Sequence, residues 1–92
     1  MEIIWGPIAL EDLDHIRRFI AGDDPDAADF IHDTIVNAVA RLHRFPELGR
    51  PGRVEDTREL VADPYIIAYS VLNQQLTILA ILHGAQRWPE RF

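Results

Sequence analysis

Residues 65–89 read YIIAYSVLNQQLTILAILHGAQRWP, and this stretch sets the architecture. Two apolar runs, Tyr65–Leu72 and Leu76–Leu82, flank the polar triplet Asn73-Gln74-Gln75, the pattern of two antiparallel strands joined by a tight hairpin. In the first run Tyr65, Ile67, Tyr69 and Val71 share one face, and Ile66, Ala68 and Leu72 the other. Both runs are apolar on both faces, as at the centre of a sheet with helices packed on one side. The second run ends in His83, Gly84, Arg87, Trp88 and Pro89, which brings an imidazole, a guanidinium and an indole to one sheet end. Strict alternation aligns His83 with Thr77, Leu79 and Ile81. Charged groups are rarely buried without partners, so His83 and Arg87 read as accessible, whereas Trp88 also suits closing a core.

Working outward from the hairpin, Arg58–Ala62 reads as a further strand that turns at Asp63-Pro64. Before it lies PELGRPGRVED, residues 46–56, punctuated by Pro46, Gly49, Pro51 and Gly52 and carrying Arg50 and Arg53. This segment is a crossover into the sheet and also a basic loop beside any site the sheet builds. Upstream, Ala28, Ile31, Ile35, Ala38, Leu42 and Phe45 recur at steps of three and four, the stripe of a core-facing helix. Asp24 is its side-chain cap, Pro25 its first residue and Pro46 its stop. A first helix carries Leu10, Leu13, Ile16 and Ile20. Pro7 opens it, Glu11, Asp12 and Asp14 sit in its early turns, and Gly22 closes it. The short link between the helices demands an antiparallel hairpin. Glu2–Trp5 is a short strand stopped by Gly6-Pro7. The order β-α-α-β-β-β predicts an α+β fold, with a two-helix antiparallel hairpin on one face of a small, mainly antiparallel sheet, forming one domain over residues 1–92.

Composition narrows the chemistry. The 92 residues contain no cysteine, which excludes disulfides, thiolate catalysis and sulfur-ligated zinc, and suits a reducing compartment. All nine cationic side chains are arginine, so a phosphate-loop lysine and a Schiff base are excluded as well. The net charge is −6, and it is unevenly spread. Residues 1–33 hold nine carboxylates against Arg17 and Arg18, and residues 34–92 hold six against seven arginines. Only the second half suits approach to a phosphate. No apolar run is long enough for a membrane span, MEIIWGP is not a secretory signal, and the expected location is the cytoplasm. Neither a metal nor a cofactor is expected. Capping and the positive helix end account for Asp23, Asp24, Asp26 and Asp29, while His15, His32 and His43 match no ligand spacing and read as surface residues.

The chain resembles the RelE/ParE superfamily of bacterial toxins from type II toxin–antitoxin systems, nearly end to end. The likeness is carried by Trp5 with Ala9, Asp12 and Leu13, by Pro46-Glu47-Leu48-Gly49-Arg50, and by Thr57-Arg58-Glu59-Leu60-Val61. It continues through Pro64-Tyr65 with Ile67 and Tyr69, and through Leu82-His83-Gly84-Ala85-Gln86-Arg87-Trp88-Pro89. That resemblance implies one of two activities. ParE-like members inhibit DNA gyrase by protein contact, whereas RelE-like members cut messenger RNA on the ribosome. For a nuclease, Arg58, His83 and Arg87 would hold the phosphate and move the proton; for a gyrase inhibitor no residue is catalytic. The absent lysines, the acidic charge and the ending His-Gly-x-x-Arg-Trp-Pro favour the ParE-like branch. The third expectation is an inactive relative, kept for antitoxin binding and control of its operon.

The resemblance further implies a hetero-oligomer with a ParD-like or related antitoxin that folds on binding. Leu13, Ile16, Phe19 and Ile20 are the expected antitoxin contacts, and DNA is met only through the antitoxin. The expected target surface is His83, Arg87 and Trp88 with Arg50, Arg53 and Arg58 nearby, since arginine and aromatic groups are the usual anchors of binding energy.

Overall fold

The computed structural model describes residues 1–92. Strand β1 (Glu2–Trp5) leads into helices α1 (Pro7–Ala21) and α2 (Pro25–Ala40), followed by one 3₁₀ turn at Arg41–His43. Strands β2 (Arg50–Pro51), β3 (Arg58–Ala62), β4 (Tyr65–Leu72) and β5 (Gln75–His83) complete the chain. The sheet order is β1-β5-β4-β3-β2, antiparallel except for β1, which runs parallel to β5. The α+β fold and helical hairpin expected from the sequence are present, and β2 adds a two-residue fifth strand. No helix is long and apolar enough to cross a membrane.

Local chemistry explains most boundaries. The Asp24 carboxylate accepts from Ala27 N at 3.1 Å, capping α2 ahead of Pro25. Asn73 and Gln74 take up left-handed backbone, φ 51° and 64°, which matches a two-residue hairpin to the twist of β4 and β5. One boundary differs from the periodic pattern. Helix α2 stops at Ala40 and not at Phe45. Pro46 disfavours helical backbone in the residue before it, and the chain tightens early. Leu42 is thereby buried, whereas Phe45 is 58 % exposed. Gly22 ends α1 in right-handed backbone, φ −59°, so its role needs none of glycine's conformational freedom.

The core lies between the helices and one face of the sheet. Ala9, Ile35, Ala38, Val39 and Leu42 meet Leu60, Ile67, Tyr69, Leu76, Ile78 and Ile81. The opposite face holds a smaller cluster of Ala68, Ala80 and Leu82, covered by Trp88. A bulge separates the two halves of β5: Tyr69 pairs with Ile78 and Ala68 with Ala80, which leaves Leu79 unmatched. The extra residue reverses the alternation. Leu76 and Ile78 face the helices, and beyond the bulge Ile81 and His83 do. His83 therefore shares a face with Ile81 but not with Thr77, contrary to strict alternation.

Candidate functional site

Glu59 is the one charged residue buried in the molecule, 3 % exposed, and the groups around it assemble the site. It stands on β3 opposite Ala68, so its carboxylate rises from the face away from the helices. Arg50, opposite Glu59 on β2, donates to Oε1 from Nε at 3.3 Å and from Nη2 at 3.0 Å. Arg53 donates its backbone N–H to Oε2 at 2.7 Å, Nε to the same oxygen at 3.1 Å, and Nη2 to Oε1 at 3.1 Å. Burial alone would raise the Glu59 carboxyl. The hydrogen bonds from Arg53 and Arg50 outweigh it and hold the group below its ordinary value.

The arginine fork carries a second layer. The Arg53 guanidinium carbon lies 3.8 Å from the centre of the Trp88 ring, a cation–π stack. Phe92 meets Trp88 edge-on, with centroids 6.4 Å apart. The indole Nε1–H is buried with no acceptor, so stacking and the apolar floor beneath hold this ring, not a hydrogen bond.

The loop bearing these arginines is tied down by a buried tyrosine. The Tyr69 hydroxyl donates to Pro46 O and accepts from Gly49 N, both at 2.8 Å. Burial raises the Tyr69 hydroxyl above its ordinary pKa. A Cβ on Gly49 would lie 2.7 Å from the Tyr69 ring and 2.9 Å from Glu59 O, so only glycine allows this approach. Arg58 donates to Gly49 O at 2.8 Å and more weakly to Glu47 O at 3.5 Å.

His83 sits elsewhere. It pairs with Tyr65 across the sheet, meets that ring edge-on at 5.7 Å, and lines a cavity of about 220 Å³ with Asp12, His15, Ile16 and Gln86. Its Nδ1 accepts from Ala85 N at 3.1 Å, so Nε2 is the ring nitrogen left to donate. The Asp12 carboxylate accepts from Ile81 N at 2.9 Å, covering the β5 edge just past Ile78, where β1 stops pairing. Burial raises the Asp12 carboxyl; the bond from Ile81 opposes this without cancelling it.

Of the expected target residues, Arg50 and Arg53 converge on Glu59, and Trp88 lies against Arg53. Arg87 is exposed and lines a groove with Trp88, Leu82 and Ile8. Arg58 points to the 46–49 loop, and His83 lies on the helix side. Of the expected antitoxin contacts, Leu13 and Ile16 pack against the core, Ile20 is half-buried, and Phe19 is 75 % exposed. Sequence reasoning gave no role to Glu59, Phe92 or Asp12. The signal for Glu59 was a carboxylate inside the strand RELVA, directly before its apolar residues, since such a group is buried only with partners.

A small α+β toxin fold with an arginine–aromatic face is thus defined, and the comparisons agree. The profile of the family described as "ParE toxin of type II toxin-antitoxin system, parDE" matches residues 3–88. The chain belongs to this family, within the RelE/ParE superfamily of toxins. It is 47 % identical over 90 residues to the protein Y4kP of Sinorhizobium fredii, covering 96 % of this chain and 93 % of the relative. It is 32 % identical over 85 residues to toxin RelE2 of Caulobacter vibrioides, covering 92 % and 97 %. A solved structure titled "Chromosomal ParDE TA system from P. aeruginosa" superposes with a TM-score of 0.80 at 27 % identity, over 90 % of this chain and 95 % of that one. Family and structural likeness together support an antitoxin as partner.

Proposed function

We propose that this toxin acts by protein contact, in the manner of a gyrase inhibitor, and that a ParD-like antitoxin neutralises it in the cytoplasm. One observation carries the reading: the residues a nuclease would need stand apart. Arg58 is opposite Tyr69 and His83 opposite Tyr65 on β4, four residues apart, or about 13 Å along the strand. They also lie on different neighbouring strands. Arg58 is engaged with backbone carbonyls, and Arg50 and Arg53 are committed to Glu59. Phosphoryl transfer needs cations and a proton-moving group within hydrogen-bond reach of one phosphate. No arginine lines the cavity that holds His83, while Arg87 lines the groove beside Trp88. The ribonuclease reading is favoured by the toxin names of the Caulobacter relatives, RelE2 and RelE3.

For the antitoxin, accessible apolar surface on the helices supports a seat. Ile8 is 55 %, Phe19 75 % and Phe30 70 % exposed. Ile8 also lines a groove of about 480 Å³ between α1 and the C-terminal segment, beside the cavity that holds His15. An antitoxin segment with apolar residues spaced for this groove would bury Ile8 and Phe19, while Leu13, Ile16 and Ile20 support the seat from beneath. The test is the purified toxin in two assays run side by side: gyrase supercoiling with trapping of broken DNA, and messenger cleavage on programmed ribosomes. Gyrase inhibition without cut messenger is expected. Cut messenger with normal supercoiling overturns the reading, and silence in both assays marks an inactive relative that serves only antitoxin binding and operon control.

A further inference from the structure

The Glu59 cluster joins two segments far apart in sequence. Loop 49–53 supplies the arginines and the C-terminal segment supplies Trp88 and Phe92, and the contact of Arg53 with Trp88 joins the two. Five hydrogen bonds converge on its two oxygens, which uses the full acceptor capacity of the group. Three of them come from Arg53, one from the backbone and two from the guanidinium, so the guanidinium plane has little freedom. The guanidinium carbon lies over the Trp88 ring, 3.8 Å from its centre. The indole Nε1–H finds no acceptor, and the ring's remaining support is apolar: the edge contact with Phe92 and the floor of Ala68, Ala80 and Leu82. Such a floor resists lifting but does little to fix rotation or sliding, because apolar contact is non-directional. Orientation comes from the cation. Arg87, adjacent to Trp88, is exposed and in no ion pair, so its position follows that of the indole.

We infer that Glu59 is a positioning residue for the toxin's working surface: by clamping Arg53 it fixes Trp88, and through Trp88 it presents Arg87 and Phe92 to the target without touching the target itself. The inference rests on the reading that the C-terminal segment meets the target. Pre-ordering this segment lowers the entropy cost of binding, which is where a rigid surface gains its affinity. Arg53 then serves as a platform and not as a direct contact, and its fork geometry, which lysine lacks, matters as much as its charge.

Glu59→Gln is nearly isosteric but cannot accept from both arginine forks. Arg53→Lys keeps both the positive charge and the Glu59 carboxylate, and it serves if Glu59→Gln fails to fold. The first readout is the indole Nε1–H resonance of Trp88, with that of Trp5 on β1 as internal reference. The second is growth arrest on titrated expression, which makes no assumption about the target. In both variants the Trp88 resonance is expected to move or broaden while that of Trp5 stays, and arrest is expected to need about tenfold more protein, the equivalent of one decade in affinity. Val61→Ala, a change on the same face outside the cluster, should alter neither. An unmoved Trp88 resonance overturns the inference, and so does a displaced Trp88 with undiminished arrest while Trp88→Ala remains inactive. If Trp88→Ala arrests growth like the wild type, the reading of the C-terminal surface fails instead, and the clamp's effect on Trp88 is judged from the spectra alone.

Discussion

The two faces of the sheet are held by different physics. On the helix side, Ile67, Tyr69, Leu76 and Ile78 are fully buried against Ile35 and Leu42, and cohesion is apolar packing spread over many residues. On the other side the floor is two alanines and a leucine, and cohesion comes from one carboxylate, two arginines and a stacked indole. The first arrangement tolerates the loss of any single polar group. The second depends on each member, because an ionic clamp with one partner removed leaves charge or dipoles uncompensated. A family toxin with one deep core thus carries, on the opposite side of its sheet, an arginine–aromatic face whose order rests on few residues.

The largest effect should fall on the packed face. Ile78→Ala removes a fully buried side chain, and about 3–4 kcal/mol of unfolding free energy is expected to go, as measured by urea denaturation. Leu82→Ala, on the thinner opposite cluster, should cost clearly less. An equal loss would mean that the two faces are packed alike. Next comes the clamp: Glu59→Ala leaves two half-exposed arginines that water can partly serve, with an expected cost of about 2–3 kcal/mol at pH 7.

Titration sharpens the contrast. The Glu59 carboxyl is held below its ordinary value of 4.5, so its contribution is fully present above that value and is lost as pH falls through the folded pKa. The stability gap between wild type and Glu59→Gln should therefore narrow below about pH 4.5. Asp12 has the opposite sign. Its folded pKa is raised from 3.8, so its ionisation costs stability as pH climbs through the range above that value, and Asp12→Asn should flatten this fall. Parallel thermal melts from pH 3 to 7 check both, and identical pH profiles for the two variants would break the assignment.

Comparable or smaller effects follow at the remaining polar contacts. Tyr69→Phe strands Gly49 N–H and Pro46 C=O, at a cost of about 1–3 kcal/mol, and should speed proteolysis in the 46–56 loop. Asp24→Ala removes the α2 cap for about 1 kcal/mol in a thermal melt. Arg17→Ala, which breaks the exposed 2.8 Å pair with Asp29 between the helices, should shift stability by less than about 1 kcal/mol.

Much of this was legible in the chain. Asp24-Pro25 and Asn73-Gln74 act through bonds to near neighbours, so the strand and helix limits they set need no knowledge of the rest of the molecule. The stripe from Ala28 to Leu42 likewise reports the α2 core face directly. The site was legible only as an inventory. Arg50, Arg53 and Trp88 were recognisable as candidates by residue type. The meeting of the two arginines on Glu59, and the separation of His83 from them, were not, because both depend on register across strands.

Sequence alone determined the β-α-α-β-β-β order, the hairpin turns, the exclusion of thiol and lysine chemistry and the family resemblance, since each rests on local spacing or on residue identity. Tertiary structure alone decided the rest. An unmatched Leu79 in β5 moved His83 to the helix side, and pairing of β2 with β3 set Arg50 opposite Glu59. The end of β1 pairing at Ile78 left an edge for Asp12 to cover, and the return of the C-terminal segment laid Trp88 on Arg53. For the first two the physical reason is register: a single-residue shift reverses which face a side chain joins, and no local signal in a strand records the register of its neighbour. The other two depend on where a distant segment ends or returns, which local sequence does not record either.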